Sequence, residues 1–374
     1  MRRSHKLLII TAIVVALFIF FWPDKVGYQG LRNSSLEQGP FQSDGVQSGS
    51  VLPDTAVDTT EVRAMKLSAK AEPDEPLPYY RLAPDTYFLF GNISTVNKDN
   101  RGWNGNAGFV VTDSSVVAID SLGTPKLGRR MIATIRSVTD KPISHLILTH
   151  HHPDHAYGAP AFARLPDITI IAHAGIMDYL GSQAMENSVA YREERLANDM
   201  RGFKAIKPDV LISQPLYDKY PLKVGGTTFD IYNVGAHHSK GDLVIHQVDQ
   251  NILWISDLAF NQRVTFMGDG DSKLAIQGQD WLLKNFADAK LMVPGHGSAQ
   301  TPPFPMVKKT RAYMQRMREF MANAVDEGMG LQEAVDKAEF EDWKDVRLYD
   351  VNQRANANFV YREMEQAFFF GDGE

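Results

Sequence analysis

Ser144-His145-Leu146-Ile147-Leu148-Thr149-His150-His151-His152-Pro153-Asp154-His155 is a β-branched run that ends in a knot of imidazoles and a carboxylate. A strand that runs into a tight turn aims alternate side chains at one point in space. The chain holds only 11 histidines in 374 residues, so the spacing H-x-H-x-D-H within six positions is a specific signal. Imidazole nitrogen and carboxylate oxygen are the donors that zinc, iron and manganese accept. Backbone geometry turns His150 and His152 to one side and Asp154 and His155 to the other, so two adjacent metal ions are expected.

Each ion needs further ligands, and the rest of the chain offers them at the ends of strand-like runs. His238 lies in Gly235-Ala236-His237-His238-Ser239-Lys240-Gly241-Asp242, after Thr227–Tyr232. Asp257 follows Ile252–Ser256, and His296 lies in Val293-Pro294-Gly295-His296-Gly297, after Lys290–Val293. Polar residues just past the carboxyl ends of strands suit a cleft along one edge of a sheet sandwich.

Outward from these motifs, short runs rich in β-branched and aromatic residues alternate with amphipathic stretches. Strands are expected at Thr86–Leu89, Gly108–Val111, Ser115–Ile119, Ile143–Leu148, Ile168–Ile171 and Leu243–His246, with a helix over Lys126–Val138. Met177–Phe203 is charged and helical in period, and could flank the site. Beyond Pro305 the chain reads as helices near Met306–Glu327, Leu331–Lys337 and Gln353–Phe368. The fold class is α/β, with a helical C-terminal extension over residues 302–374.

The elements together resemble the metallo-β-lactamase-fold hydrolase superfamily over about Pro78 to Thr301. T-H-x-H-x-D-H stands at Thr149–His155, G-x-x-H-S/T-x-G-D at Gly235–Asp242, and P-G-H-G at Pro294–Gly297. Val117-Ala118-Ile119-Asp120-Ser121 looks like the family's I-D-S/T-G turn, whose aspartate supports the floor of the site. The resemblance implies an αββα metallo-β-lactamase sandwich over residues 78–301. It also implies that His150, His152 and His238 hold one metal, that Asp154, His155 and His296 hold the other, and that Asp257 bridges them.

The bridging carboxylate is similar to that of glyoxalase-II-type dinuclear hydrolases, because the best-known lactamases use a cysteine and this chain has none. Asp257-Leu258-Ala259-Phe260 onward to Gly268-Asp269-Gly270-Asp271-Ser272, with the helical extension, looks most like exported zinc hydrolases found alongside sulfur-oxidation and quinoprotein systems. The implied cofactors are two divalent metal ions, zinc first, with iron or manganese as alternatives. The implied reaction is cleavage of an ester, thioester or lactam-type bond in a small-molecule substrate by a metal-activated hydroxide, with Asp154 as the catalytic group that orients it or collects its proton. Two alternatives stand beside it: a mononuclear iron enzyme that oxidises persulfides through His150, His238 and Asp257, and a metal-binding module without turnover.

The remaining histidines carry plainer expectations. His151 points away by alternation and suits a supporting or surface place, and His237 suits packing or a supporting bond. His173 reads as structural, His246 as packed within a strand and Ser239 as a turn hydroxyl. Tyr191, Arg192, Glu193 and Arg195 read as a solvated helix face.

Net charge of −6 and a pI near 6.0 give no basic footprint for nucleic acid. The N-terminus is distinctive: Arg2, Arg3 and Lys6 precede an apolar run from Leu7 to Trp22, which as a helix would span about 24 Å. No small-x-small cleavage pattern follows, and Phe20, Phe21 and Trp22 suit an interfacial belt. Residues 1–22 are therefore expected to be a signal-anchor helix and residues 23–77 a flexible linker. The folded part is then expected on the outer, extracytoplasmic side of the membrane.

Overall fold

Residue alternation along the strands explains how this chain builds two sheets back to back. The computed structural model describes residues 75–371. One sheet runs in the order β1 (Tyr80–Ala83), β2 (Thr86–Leu89), β3 (Ala107–Val111), β4 (Val116–Ile119), β5 (Ile143–Leu148), β6 (Thr169–His173) and β7 (Val210–Ile212). Its first four strands form an antiparallel meander, and β4 through β7 are parallel. The second sheet runs β12 (Leu291–Pro294), β11 (Ile252–Ser256), β10 (Asp242–Gln247), β9 (Thr227–Gly235) and β8 (Lys219–Val224). It is antiparallel except for the β11–β12 pair.

Parallel neighbours require crossovers, and helices supply them on the outer faces. The helix α1 (Pro125–Val138) joins β4 to β5, the short α2 (Pro153–Ala156) and α3 (Ala159–Phe162) lie between β5 and β6, and α4 (Ile176–Tyr179) and α5 (Gln183–Met200) lie between β6 and β7. On the other face α6 (Ser272–Asn285) joins β11 to β12. The starts of α1 and α6 are written in their caps. Thr124 accepts from Leu127 N ahead of Pro125, and Asp271 accepts from Lys273 N and Leu274 N.

In β4, Val117 and Ile119 face the second sheet while Val116 and Ala118 face Leu127, Met131 and Ile135 of α1. In β11, Ile252 and Trp254 face the first sheet, whereas Leu253 and Ile255 pack against Leu282 of α6. Period-two alternation with both faces apolar is the pattern of strands buried between two layers. The architecture is the αββα sandwich expected from the sequence.

Gly108 of β3 sits directly against Trp254 of the facing sheet. A Cβ there would lie 2.1 Å from the Trp254 ring and 2.7 Å from Tyr87 O. Gly108→Ala is expected to overpack this contact and to cost about 1–3 kcal/mol. Thermal unfolding should show it as a lowered midpoint, and an unchanged midpoint would mean that the sheets can part there without cost.

The C-terminal extension comprises α7 (Pro305–Asp326), α8 (Leu331–Lys337) and α9 (Tyr349–Phe370). Its core is shared with Val264, Met267 and Ala275 of the segment before β12. The apolar run Leu7–Trp22, the segment ahead of residue 75 and residues 372–374 lie outside the described residues. The last residues of the expected linker are docked: Leu77 is buried, its N–H donates to Thr134 Oγ1 at 2.7 Å, and Arg130 Nε donates to Glu75 O. Among the described residues no helix is long and apolar enough to cross a membrane.

Candidate metal centre

The floor of the site is set by Asp120, just past β4, in a left-handed backbone conformation with φ +58°. Its carboxylate accepts from Thr149 N at 2.8 Å and Thr149 Oγ1 at 2.9 Å, and faces His155 Nδ1 at 2.9 Å. Ser121 donates twice to His155 O, through its N–H and its hydroxyl. Thr149 Oγ1 lies 3.0 Å from His150 Nδ1 and 2.7 Å from Ser256 Oγ. One buried carboxylate thereby fixes the start and the end of the H-x-H-x-D-H turn.

The other turns that carry candidate ligands are held as firmly. Asp242 Oδ2 accepts the backbone N–H groups of His237, His238 and Ser239 at 2.7–3.0 Å. Asn106 Nδ2 donates to Pro294 O and Gly297 O, and Asn106 N donates to Gly295 O. Gly295 is required beside Asp257, since a Cβ there would lie 1.9 Å from Asp257 Oδ1.

These turns bring together all seven residues singled out in the sequence. One donor atom each from His150, His152, His238 and Asp257 lie within 4.8 Å of one another, and so do those of Asp154, His155 and His296. Asp257 stands between the sets. Its Oδ2 is 3.1 Å from His238 Nε2 and 3.3 Å from His296 Nε2, and its Oδ1 is 3.6 Å from His155 Nε2. His238 Nε2 faces His152 Nδ1 at 2.9 Å, and His296 Nε2 faces Asp154 Oδ2 at 3.4 Å.

Three of the rings have a partner at the back. His155 Nδ1 meets Asp120, His296 Nδ1 meets Asn104 O at 2.7 Å, and His152 Nε2 meets Asp269 Oδ2 at 2.9 Å. Such bonds select the tautomer whose free lone pair points inward. Meanwhile His150 Nε2, His155 Nε2 and Asp257 Oδ1 are buried without any hydrogen-bond partner. Convergent, orphaned nitrogen and oxygen donors fit divalent cations, and buried polar atoms are otherwise rarely left so.

Charge around the cluster agrees. Burial lowers the pKa of His155, but Asp257, Asp120 and Asp154 outweigh it and push it up to about 10. Burial raises the Asp257 carboxyl, yet His296, His155 and His238 hold it well below the usual range. His150, with burial dominant and His155 and His152 beside it, is lowered well below the imidazole value.

Several residues at the site carried no signal, or a different one, in the sequence. Asn104, on the loop between β2 and β3, donates from Nδ2 to Asp154 Oδ2 at 2.7 Å while its carbonyl meets His296. Arg192, expected on a solvated face, is 5% exposed, donates to Gly123 O and lies 5.8 Å over the Tyr157 ring. Its charge also helps to hold Asp154 below the usual carboxylate range. Arg263 lies 5.2 Å over Phe260, whose ring stacks on His296, and no carboxylate among the described residues is within ion-pair distance of it.

His151 is buried and its ring lies 4.2 Å from that of Tyr179, so the surface place is ruled out for it. It forms a further set with His152 and Asp269, which shares His152 with the first. His237 is buried with both ring nitrogens unpaired. His173 Nε2 meets Asn233 Oδ1, His246 Nε2 meets Asn251 Oδ1, and Ser239 Oγ bonds within its own turn to Gly241.

Among curated proteins, the chain is 36% identical over 85 residues to a UPF0173 metal-dependent hydrolase of Brucella ovis, and 35% identical over 85 residues to one of Brucella anthropi. Each match covers 22% of this chain and 35% of the relative, so the chain spans about a third of their length. Among solved structures it is similar to the stereoselective inverting sec-alkylsulfatase Pisa1 from Pseudomonas sp., with a TM-score of 0.62 and 18% identity over 79% of this chain and 50% of the other. It is also similar to a metallo-beta-lactamase from Pontibacter korlensis, with a TM-score of 0.50 and 19% identity over 64% of this chain and 99% of the other. At these identities the likeness shows the fold. A family model described as the metallo-beta-lactamase superfamily matches residues 100–296, which is more than half the chain and carries all seven convergent donor residues, and on that match the chain belongs to the metallo-beta-lactamase superfamily.

Proposed function

We propose that this chain is a metal-dependent hydrolase that holds two divalent ions, zinc first, and cleaves an ester, thioester or lactam-type bond. The observation that carries the reading is Asp257, placed between two sets of convergent donors with Oδ1 orphaned. His150, His152 and His238 would hold one ion, Asp154, His155 and His296 the other, and Asp257 both. When bound, such ions lower the pKa of a water and polarise the oxygen of the scissile bond.

The chain's own residues do the rest. Asn104 Nδ2 anchors Asp154 Oδ2, which leaves Oδ1 to orient a water or accept its proton. Phe260 and Phe266 pack their rings against His296, His152 and His238 and keep bulk water from that side. The guanidinium of Arg263, which feels the charge of Asp257 and Asp154 but has no carboxylate at ion-pair distance among the described residues, supports a substrate that carries an anionic group. The name of the Brucella relatives, metal-dependent hydrolase, supports the same class.

Metal loading should release protons. The carboxylates keep His155 protonated up to about pH 10, and only the neutral ring can ligate. Apparent affinity for zinc is therefore expected to fall as pH falls, by up to roughly tenfold per unit for each proton displaced. Calorimetry at pH 7 in buffers of different ionisation heat checks this, and a buffer-independent heat would contradict it.

The reading is tested with the purified full chain on a chromogenic lactam, a glutathione thioester, an aryl ester, an aryl sulfate and a phosphodiester, each with and without chelator. Chelator-sensitive turnover of one class names the bond, and no turnover by metal-loaded protein defeats the proposal. Leu7–Trp22 with Arg2, Arg3 and Lys6 ahead of it supports a membrane tether that leaves the folded part outside. Release of the chain from membranes by alkaline carbonate would count against that tether.

A further inference from the structure

The segment from Arg263 to Asp271 has no regular helix or strand of its own, yet it supplies a wall of the metal cluster. Phe266 places its ring 6.2 Å from His152 and 6.3 Å from His238, and Asp269 bonds the back of His152. Nothing local fixes such a segment, so its position must come from what it leans on. It leans on the C-terminal extension.

Asn356, in the middle of α9, is fully buried. Its Oδ1 accepts from Met267 N at 2.9 Å, its Nδ2 donates to Thr265 O at 2.8 Å, and Nδ2 also meets Tyr313 OH of α7 at 3.1 Å. A single amide thus grips the backbone on both sides of Phe266. Asn352, one turn earlier, donates from Nδ2 to Val264 O at 3.0 Å, and Val264 N donates to Arg347 O at 2.9 Å. At the far end the Glu363 carboxylate accepts from Ser272 N at 2.9 Å and from the Ser272 hydroxyl, to which Arg318 donates at 2.6 Å.

Burying so many amide and carboxylate groups in a helix interface costs desolvation that apolar side chains would avoid. Asn352, Asn356 and Glu363 direct most of their hydrogen bonds at residues 264–272. From the other side, the segment's contacts run to the cluster: Asp269 to His152, and Asp271 N to His237 O at 3.4 Å.

We propose that the C-terminal helices complete the metal centre: Asn356 clamps the backbone around Phe266, and this holds Asp269 where it orients His152. Asn356 and Asp269 are positioning residues for the set of His150, His152, His238 and Asp257. The set of Asp154, His155 and His296 is oriented instead by Asp120 and Asn104, and does not depend on the clamp. The proposal rests on reading the cluster as a metal site.

The test is a cobalt titration of the metal-free full chain, followed by its absorption spectrum, with steps assigned by His296→Ala, which removes a ligand of the second set. Asp269→Asn is expected to weaken the step assigned to the first set by roughly 10–100-fold, and Asn356→Ala by about tenfold, while the second step stays as in the wild type. Hydrogen exchange in Asn356→Ala should show the Met267 amide losing protection. Tyr361→Phe removes a hydrogen bond of α9 to Met329 O, away from the segment, and should leave both steps unchanged.

If Asn356→Ala frees the Met267 amide but both cobalt steps are unaltered, the clamp does not position the site and the proposal falls. Equal weakening of both steps, matched by Tyr361→Phe, also overturns it in favour of a plain stability effect. A wild-type chain that binds no cobalt would sink the metal reading and this proposal together, whereas normal binding in every variant would sink this proposal alone.

Discussion

Asp257→Ala is expected to cost the chain tight binding of both metal ions and to cut hydrolysis by roughly a thousandfold. Among the described residues, Asp257 is the only carboxylate whose oxygens lie near donors of both sets, 3.1 Å from His238 Nε2, 3.3 Å from His296 Nε2 and 3.6 Å from His155 Nε2. On the proposed reading, removing it takes a donor from each ion and the negative charge between them. A thousandfold corresponds to about 4 kcal/mol of barrier, in the range of several kcal/mol that metal charge contributes to a transition state. Metal content after dialysis and kcat on the substrate class found are the measurements. Two tightly held ions in the variant would show that Asp257 does not bridge.

The same variant should change the metal-free protein in a way that a simple loss of packing would not. His155 has a folded pKa raised to about 10, above its unfolded value near 6.5. The stability it contributes is fully present below pH 6.5 and is lost as pH rises through about 10. Asp257 is the leading carboxylate behind that rise, so melts of the chelated variant between pH 6 and 10 should fall less steeply than those of the wild type.

What the sequence made legible was local, and what it hid depended on distant partners. Thr149–His155 could be read because strand, turn and ligands are contiguous, and His238, Asp257 and His296 because each stands just past a strand. The mixed α/β class followed from the short β-branched runs alternating with amphipathic stretches, and the αββα order from the family resemblance of the motifs they carry. The short edge strand β8 was not visible, since its Lys219-Tyr220-Pro221-Leu222-Lys223-Val224 is half polar and carries a proline, which an edge tolerates. The helix α6 was missed because its apolar residues Leu274, Ala275, Ile276, Trp281, Leu282 and Leu283 do not gather on one face as those of α1 do, and the parallel β11–β12 pair that demands a crossover is a tertiary fact. Asn104 meets Asp154 across 50 positions and His296 across 192, so no window of sequence shows it. Arg192 looks like surface charge until Gly102 and Gly123 are seen beside its guanidinium, where a Cβ added to either would lie 3.1 Å from Arg192 Nη1. The clamp by Asn356 was hidden for the same reason, since an asparagine inside a helix gives no sign of which backbone it will grip.

Asp120→Asn is expected to keep the fold and yet weaken metal binding at Asp154, His155 and His296 by roughly 10–100-fold. Asparagine tolerates the left-handed backbone at φ +58° better than most residues, so the turn after β4 can persist. Its Oδ1 can still accept from Thr149 N at the 2.8 Å position. The difference falls on the other oxygen, which in the wild type takes the Thr149 hydroxyl and the His155 Nδ1 proton. An NH2 group there donates instead of accepting. His155 must then present a bare Nδ1 to it and carry its proton on Nε2, the atom aimed at Asp257 and the second set. A protonated Nε2 has no lone pair for a metal, so the neutral ring is trapped in the wrong tautomer although every atom of the site is in place. Asp120→Ala, by contrast, leaves the Thr149 and His155 donors buried and unpaired and should cost about 3–5 kcal/mol of stability as well. Cobalt titration separates the two, since Asp120→Asn should melt near the wild type and lose affinity at the second set only. If Asp120→Asn binds both ions as the wild type does, the inward lone pair of His155 is not set by Asp120, and the floor of the site serves packing alone.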